Sequence, residues 1–106
     1  MKVLFIRPGE APELGELNGY KEMSDFVGGC LETVNAYGYK IVCNDEFLLN
    51  DSPYNVTING VQFFGNIFVC KDGIVDGEHD LIGLDVVDID NPVFFVYFVL
   101  CRGSFI

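Results

Sequence analysis

Residues 24–34 read Ser24-Asp25-Phe26-Val27-Gly28-Gly29-Cys30-Leu31-Glu32-Thr33-Val34, a glycine pair set between a helix-like pattern and a β-prone one. Upstream, Tyr20, Met23, Phe26 and Val27 recur at helical spacing while Lys21, Glu22, Ser24 and Asp25 take the other face, and Asn18 is a good N-cap. An amphipathic helix of two to three turns therefore ends at the glycines. Gly28 stands where a left-handed C-cap is needed, and Gly29 lets the chain swing into a strand. A phosphate-cradling loop places its glycines before a helix, where free amides and the helix dipole favour an anion. Here the order is reversed, so the pair reads as a helix stop, with a ligand loop as the alternative.

Working outward, Val3-Leu4-Phe5-Ile6 suits an interior strand closed by the turn Arg7-Pro8-Gly9, and residues 13–17 suit a second strand. Residues 30–35 and 39–44 read as a hairpin across Ala36-Tyr37-Gly38. Residues 45–53 read as an irregular excursion. Residues 61–70 form one strong strand pattern, with Gly65 marking a bulge or the close approach of another backbone, and Lys71-Asp72-Gly73 reads as the turn after it. Asp90-Asn91-Pro92 resembles a helix start, yet residues 93–100 are rich in β-prone types, and local propensity favours a terminal strand over a helix. The expected fold is α+β: a small, mainly antiparallel sheet with one amphipathic helix packed on it, in a single domain spanning residues 1–106.

Half of the 106 residues are apolar, enough for a core. Six Lys and Arg against sixteen Asp and Glu give a formal charge of -10, which opposes direct binding to nucleic acid or to an anionic membrane and favours a basic partner surface. Cys30, Cys43, Cys70 and Cys101 are widely spaced in apolar surroundings, without a CxxC pair or zinc-site spacing, and read as buried free thiols. The start lacks the features of a signal peptide, pointing to the cytoplasm. The apolar run 93–101 is nine residues, against roughly 20 for a membrane-spanning helix. It must instead be covered, by the domain's own core or by a second copy in a homo-oligomer.

Several segments together resemble a small uncharacterised family, a domain of unknown function found mostly in phages, plasmids and the bacteria that carry them. The matching residues are Met1-Lys2-Val3-Leu4, Arg7-Pro8-Gly9, Pro12-Glu13, Glu16-Leu17-Asn18-Gly19, Val27-Gly28-Gly29, Ile41-Val42-Cys43-Asn44 with Glu46, Pro53-Tyr54-Asn55 and Gly65-Asn66-Ile67-Phe68-Val69. They cover about residues 1–84, and their order and spacing are the specific part. Where the family usually has a basic residue after its Pro-x-Asn element, this chain has Val56, and its C-terminal segment departs from the family's usual helical, charged ending. The resemblance implies an α+β domain of mobile-element origin and no reaction. If the chain is phage-encoded, it implies the host cytoplasm as the setting.

No activated nucleophile or acid/base pair can be named, so the expectation is a protein that is not an enzyme, with no cofactor and no metal. His79, between Glu78 and Asp80, reads as a solvated loop histidine, and the neighbouring carboxylates miss the EF-hand spacing. Seven acidic residues fall between Asp72 and Asp90, with Lys71 at the edge. They read either as a solvated edge or as a patch that imitates nucleic-acid phosphates and occupies a basic groove on a host defence or nucleic-acid-processing protein. On the second reading Asp72, Asp76, Glu78, Asp80 and Asp88 bind the partner. The alternative function is sequestration of a nucleotide signal, using Arg7 and backbone amides at Gly28, Gly29 and Gly65, with stacking from some of the ten Phe and five Tyr.

Overall fold

The computed structural model describes residues 1–46, 52–94 and 97–98. The chain runs β1 (Lys2–Ile6), β2 (Glu13–Glu16), α1 (Gly19–Val27), β3 (Leu31–Ala36), β4 (Tyr39–Asn44), β5 (Tyr54–Ile58), β6 (Val61–Phe64), β7 (Ile67–Val75), β8 (Glu78–Ile82), α2 (Val86–Ile89) and α3 (Pro92–Phe94). The architecture is α+β and mainly antiparallel. One sheet has the order β2-β1-β7-β4-β3, with β8 also paired to β7, while β5 and β6 form a separate two-stranded sheet.

The central strands are apolar on successive residues because both of their faces are covered. On one face Val3, Phe5, Val42, Phe68 and Cys70 pack under α1, which supplies Val27 together with the half-buried Met23 and Phe26. On the other face Leu4, Ile6, Ile41, Cys43, Ile67 and Val69 meet Val56, Ile58 and Phe63 of the small sheet, with Leu84, Phe94 and Phe98. Phe94 and Phe98 thus fill the domain's own core, while Tyr97 stays exposed. Phe94 and Phe98, four residues apart, both meet Tyr39 edge to face at 5.0 and 5.5 Å between ring centroids.

Gly28 caps α1 as expected, at φ 87° with its N–H donating to the Ser24 carbonyl at 2.8 Å. Gly29 serves a different need: a Cβ there would lie 2.9 Å from the Asn44 amide. Asn18 occupies the N-cap position, but its side chain makes no cap hydrogen bond and Oδ1 accepts from the Met1 nitrogen instead.

Four expectations need correction. Residues 61–70 are two strands in different sheets, broken at Gly65 (φ 73°), which turns a corner where its N–H reaches the Pro53 carbonyl at 2.7 Å. Lys71-Asp72-Gly73 is not a turn: β7 continues to Val75, and the reversal falls at Asp76-Gly77, both at positive φ, as a type I′ hairpin requires. Residues 92–94 are helical, because Pro92 fits a first helical turn and Phe94 and Phe98, four residues apart, are buried in one cluster as one side of a helix allows. Cys30 is exposed, unlike Cys43 and Cys70. The excursion at residues 47–51, the rest of the apolar tail and Cys101 lie outside the described residues.

Candidate functional site

β7 is the longest strand, and its two halves do different things. Residues 67–70 pair with β1 on one side and β4 on the other, whereas residues 71–75 pair, among the described strands, with β8 alone. The C-terminal half of β7 and β8 form a two-stranded arm whose residues 74–80 are all exposed. Asp72, Asp76, Glu78 and Asp80 all lie on it, and from Asp72 to Asp90 the sequence contains no lysine or arginine.

The pairing separates these carboxylates. Asp72 stands opposite Leu81, while Asp80 stands opposite Gly73 and Glu78 opposite Val75. Successive pairs face opposite sides of the pleat, so Asp72 is on one face of the arm and Glu78 and Asp80 on the other. Asp76 occupies the tip, where its positive φ of 52° places it in the hairpin turn. Asp72 also lies 3.2 Å from His79 Nδ1, a diagonal neighbour on its own face, so the histidine answers a carboxylate locally.

Asp88 does not belong to this surface. It is 9% exposed, because the α2 turn that carries it is folded onto the sheet. One carboxylate oxygen accepts the Tyr39 hydroxyl at 3.0 Å, and the other lies 2.8 Å from Lys71 Nζ and accepts the Asp85 N–H at 2.9 Å. Desolvation works to raise its pKa, but the hydrogen bonds from Lys71, the Asp85 backbone and Tyr39 outweigh it and hold the carboxyl below its usual value. Lys71 also reaches Asp85 at 3.3 Å. This cluster pins α2 to β4 and β7, so Asp88, expected to meet a partner, is held in contacts inside the domain and is not presented with the carboxylates of the arm.

Arg7, Gly28, Gly29 and Gly65 gather at one end of the sheet around the C-terminus of α1. The Arg7 guanidinium stacks over Phe5 and Phe26 at 4.9 and 5.3 Å and pairs with Glu13 at 3.5 Å. Asn66 donates to the Phe26 carbonyl at 3.1 Å, and buried Asn55 donates to the carbonyls of Ile6 and Gly65 at 2.8 and 2.7 Å. These donors are spent on carbonyls at strand and helix ends. The helix presents its C-terminal, partly negative end here, which disfavours a phosphate.

The other end of α1 carries a half-open concavity of about 510 Å³ between the helix, the start of β1 and the arm. Leu17, Met23, Leu31 and Leu81 give it apolar walls, and Tyr20 and Asp80 also line it. Sequence reasoning missed this place, since β8 was not expected and Asp80 had no assigned neighbour. The signal available was Asp76-Gly77 between β-prone residues, a strong hairpin mark.

Burial pushes the thiols of Cys43 and Cys70 up, to about 11 and about 12, so these cysteines are core residues rather than nucleophiles. Among the described residues no group of His, Cys, Asp and Glu is arranged to hold a metal, and no helix is long and apolar enough to cross a membrane.

A family model described as a domain of unknown function (DUF3846) matches residues 1–91, and the chain belongs to that family. No curated protein and no solved structure matches it.

Proposed function

We propose that this member of the DUF3846 family is a non-enzymatic binding protein whose acidic β7–β8 arm docks on the basic surface of another protein. The observation that carries the reading is the arm itself: a strand that leaves its sheet to present Asp72, Asp76, Glu78 and Asp80 on an exposed ribbon whose single basic residue, Lys71 at its base, is turned to Asp85 and Asp88. Such a ribbon raises the rate of encounter with a basic groove and makes association fall with salt. In the phage and plasmid setting that the family resemblance implies, the partner is a host defence or nucleic-acid-processing protein in the bacterial cytoplasm, and the arm takes the place of nucleic-acid phosphates.

Sequestration of a nucleotide signal by Arg7 and the glycines has weaker support, since the polar groups there already serve the helix and strand ends. The test is co-purification from a bacterial lysate at graded ionic strength. A basic protein retained by the parent chain and lost from a variant with Asp76→Asn, Glu78→Gln and Asp80→Asn carries the reading. Retention of a small ligand detected by native mass spectrometry, with no protein retained, overturns it.

A further inference from the structure

The arm has one edge that the fold leaves open. Its turn, Asp76-Gly77, has two residues, so Val75 and Glu78 form a hydrogen-bonded pair and the ladder alternates from there. Val75, Gly73 and Lys71 therefore aim their N–H and C=O groups at β8, and Asp72 and Ile74 aim theirs at the opposite edge. The Leu84 N–H donates to the Lys2 carbonyl at 2.8 Å, which places β8 in line with β1 and leaves the opposite edge on the β4 side. β4 covers β7 only as far as the Lys40–Cys70 pair, beyond which the turn at Tyr37-Gly38 joins β4 to β3 on its far side. Among the described residues no hydrogen bond reaches the outward N–H and C=O groups of Asp72 and Ile74. The outer edge of β8 differs, because the Leu81 N–H that the register turns outward is taken by Asp80 Oδ1 at 2.7 Å.

We propose that the partner adds an extended segment, β-prone and carrying lysine or arginine at alternate positions, as a further strand along residues 72–75 of β7. An open edge flanked by the β-branched side chains of Ile74 and Val75, 62% and 43% exposed, suits strand addition. Charge selects the strand. Lys71 is turned to Asp85 and Asp88, and Lys40 stands opposite Cys70 inside the sheet, whereas Asp72, Asp76, Glu78 and Asp80 all belong to the arm. His79 answers Asp72 alone. A second copy of the chain would bring the same carboxylates and a formal charge of -10 to the same edge, which opposes self-pairing. The proposal rests on the reading of the arm as a docking element and deepens it: the carboxylates steer the partner and the backbone edge holds it.

The probe is a heptapeptide of alternating lysine and valine, compared with a backbone-N-methylated counterpart that keeps every side chain and loses every N–H. Amide hydrogen exchange followed by NMR reads the result residue by residue. In the free protein Gly73 and Val75 should exchange more slowly than Asp72 and Ile74. At saturation the peptide should slow Asp72 and Ile74 at least tenfold, and the N-methylated peptide should leave them unchanged. Ile74→Pro removes an outward N–H and spares the ladder to β8, and should weaken the peptide about tenfold, as for loss of one backbone hydrogen bond. Ile74→Lys keeps the backbone intact, adds a like charge at the edge and should also weaken it. Shifts at Gly77 and Glu78 without slowed exchange at Asp72 and Ile74 would overturn strand addition and leave the arm reading standing. No shift at either place would overturn both. Protection of Asp72 and Ile74 that rises with protein concentration in the absence of peptide would give the edge to a second copy and overturn the basic partner strand.

Discussion

Lys71 Nζ stands 2.8 Å from the Asp88 carboxylate, and this contact ties α2 to the sheet where β7 changes from a central strand into the arm. Tyr39 closes the cluster from β4. Lys71→Met would leave Asp88 largely buried without its cation and should cost about 2 kcal/mol, below the range for fully buried pairs because Lys71 still touches water. Lys71→Met with Asp88→Asn should recover part of that loss in chemical denaturation. Equal midpoints for parent and Lys71→Met would show the pair to be dispensable.

The same cluster sets a pH dependence. Asp88 has its folded pKa lowered, so its contribution is present above the unfolded carboxylate range and is lost as pH falls below about 4. Lys71 is raised, chiefly by its hydrogen bond to Asp88, and Tyr39 is raised, chiefly by burial, so their contributions hold at neutral pH and fade as pH rises beyond about 10. Thermal unfolding between pH 2 and 11 should lose stability at both ends, and Asp88→Asn should flatten the acid limb. An unaltered acid limb in that variant would assign the acid loss to other carboxylates.

Asn55 joins the end of β1 to the corner at Gly65 through two donated hydrogen bonds. Asn55→Ala removes the donor from the buried Ile6 carbonyl and the part-buried Gly65 carbonyl and should destabilise by about 2 kcal/mol or more. Asn55→Asp has no amide to donate and should be at least as damaging at neutral pH, with part of the loss recovered in acid as the carboxyl gains a proton. Denaturation of the two variants at pH 7 and pH 4.5 checks both statements.

The two adjacent glycines should respond differently. Gly28→Ala would meet the Asn44 amide only at an ordinary contact distance of 3.8 Å but must hold φ 87°, at a cost of about 1 kcal/mol. Gly29→Ala drives a methyl group to 2.9 Å from the Asn44 amide, which is 4% exposed and also accepts the Glu46 N–H, and should cost about 1–3 kcal/mol. An equal and negligible effect at both positions would reopen the helix-stop assignment.

The parts of the fold legible in the sequence were those with local causes. The β1 run, the β3–β4 hairpin and the stop of α1 at Gly28 each follow from periodicity or from backbone conformation at one glycine. Tertiary context decided the remainder. Val61 to Cys70 looks like one strand because both sides of Gly65 are apolar, but each side is apolar for a different sheet. Asp72 and Asp88 look alike in the sequence, yet one lies on the arm and the other is folded under α2, a difference created by Lys71 and Tyr39 from distant elements. The concavity beside α1 depends on Met1, Met23, Leu31 and Leu81 meeting across four parts of the chain, for which no local pattern exists.

The arm carries the central claim, and its charge can be removed without disturbing the core. Asp76→Asn suits the turn, since asparagine tolerates positive φ at least as well as aspartate, and Glu78→Gln and Asp80→Asn alter exposed side chains. The deciding measurement is the association rate of the captured partner with parent and triple variant across ionic strength. The account predicts similar unfolding midpoints, slower association of the variant at low salt and a flatter salt dependence. Association of the triple variant at the parent's rate at every ionic strength would contradict it.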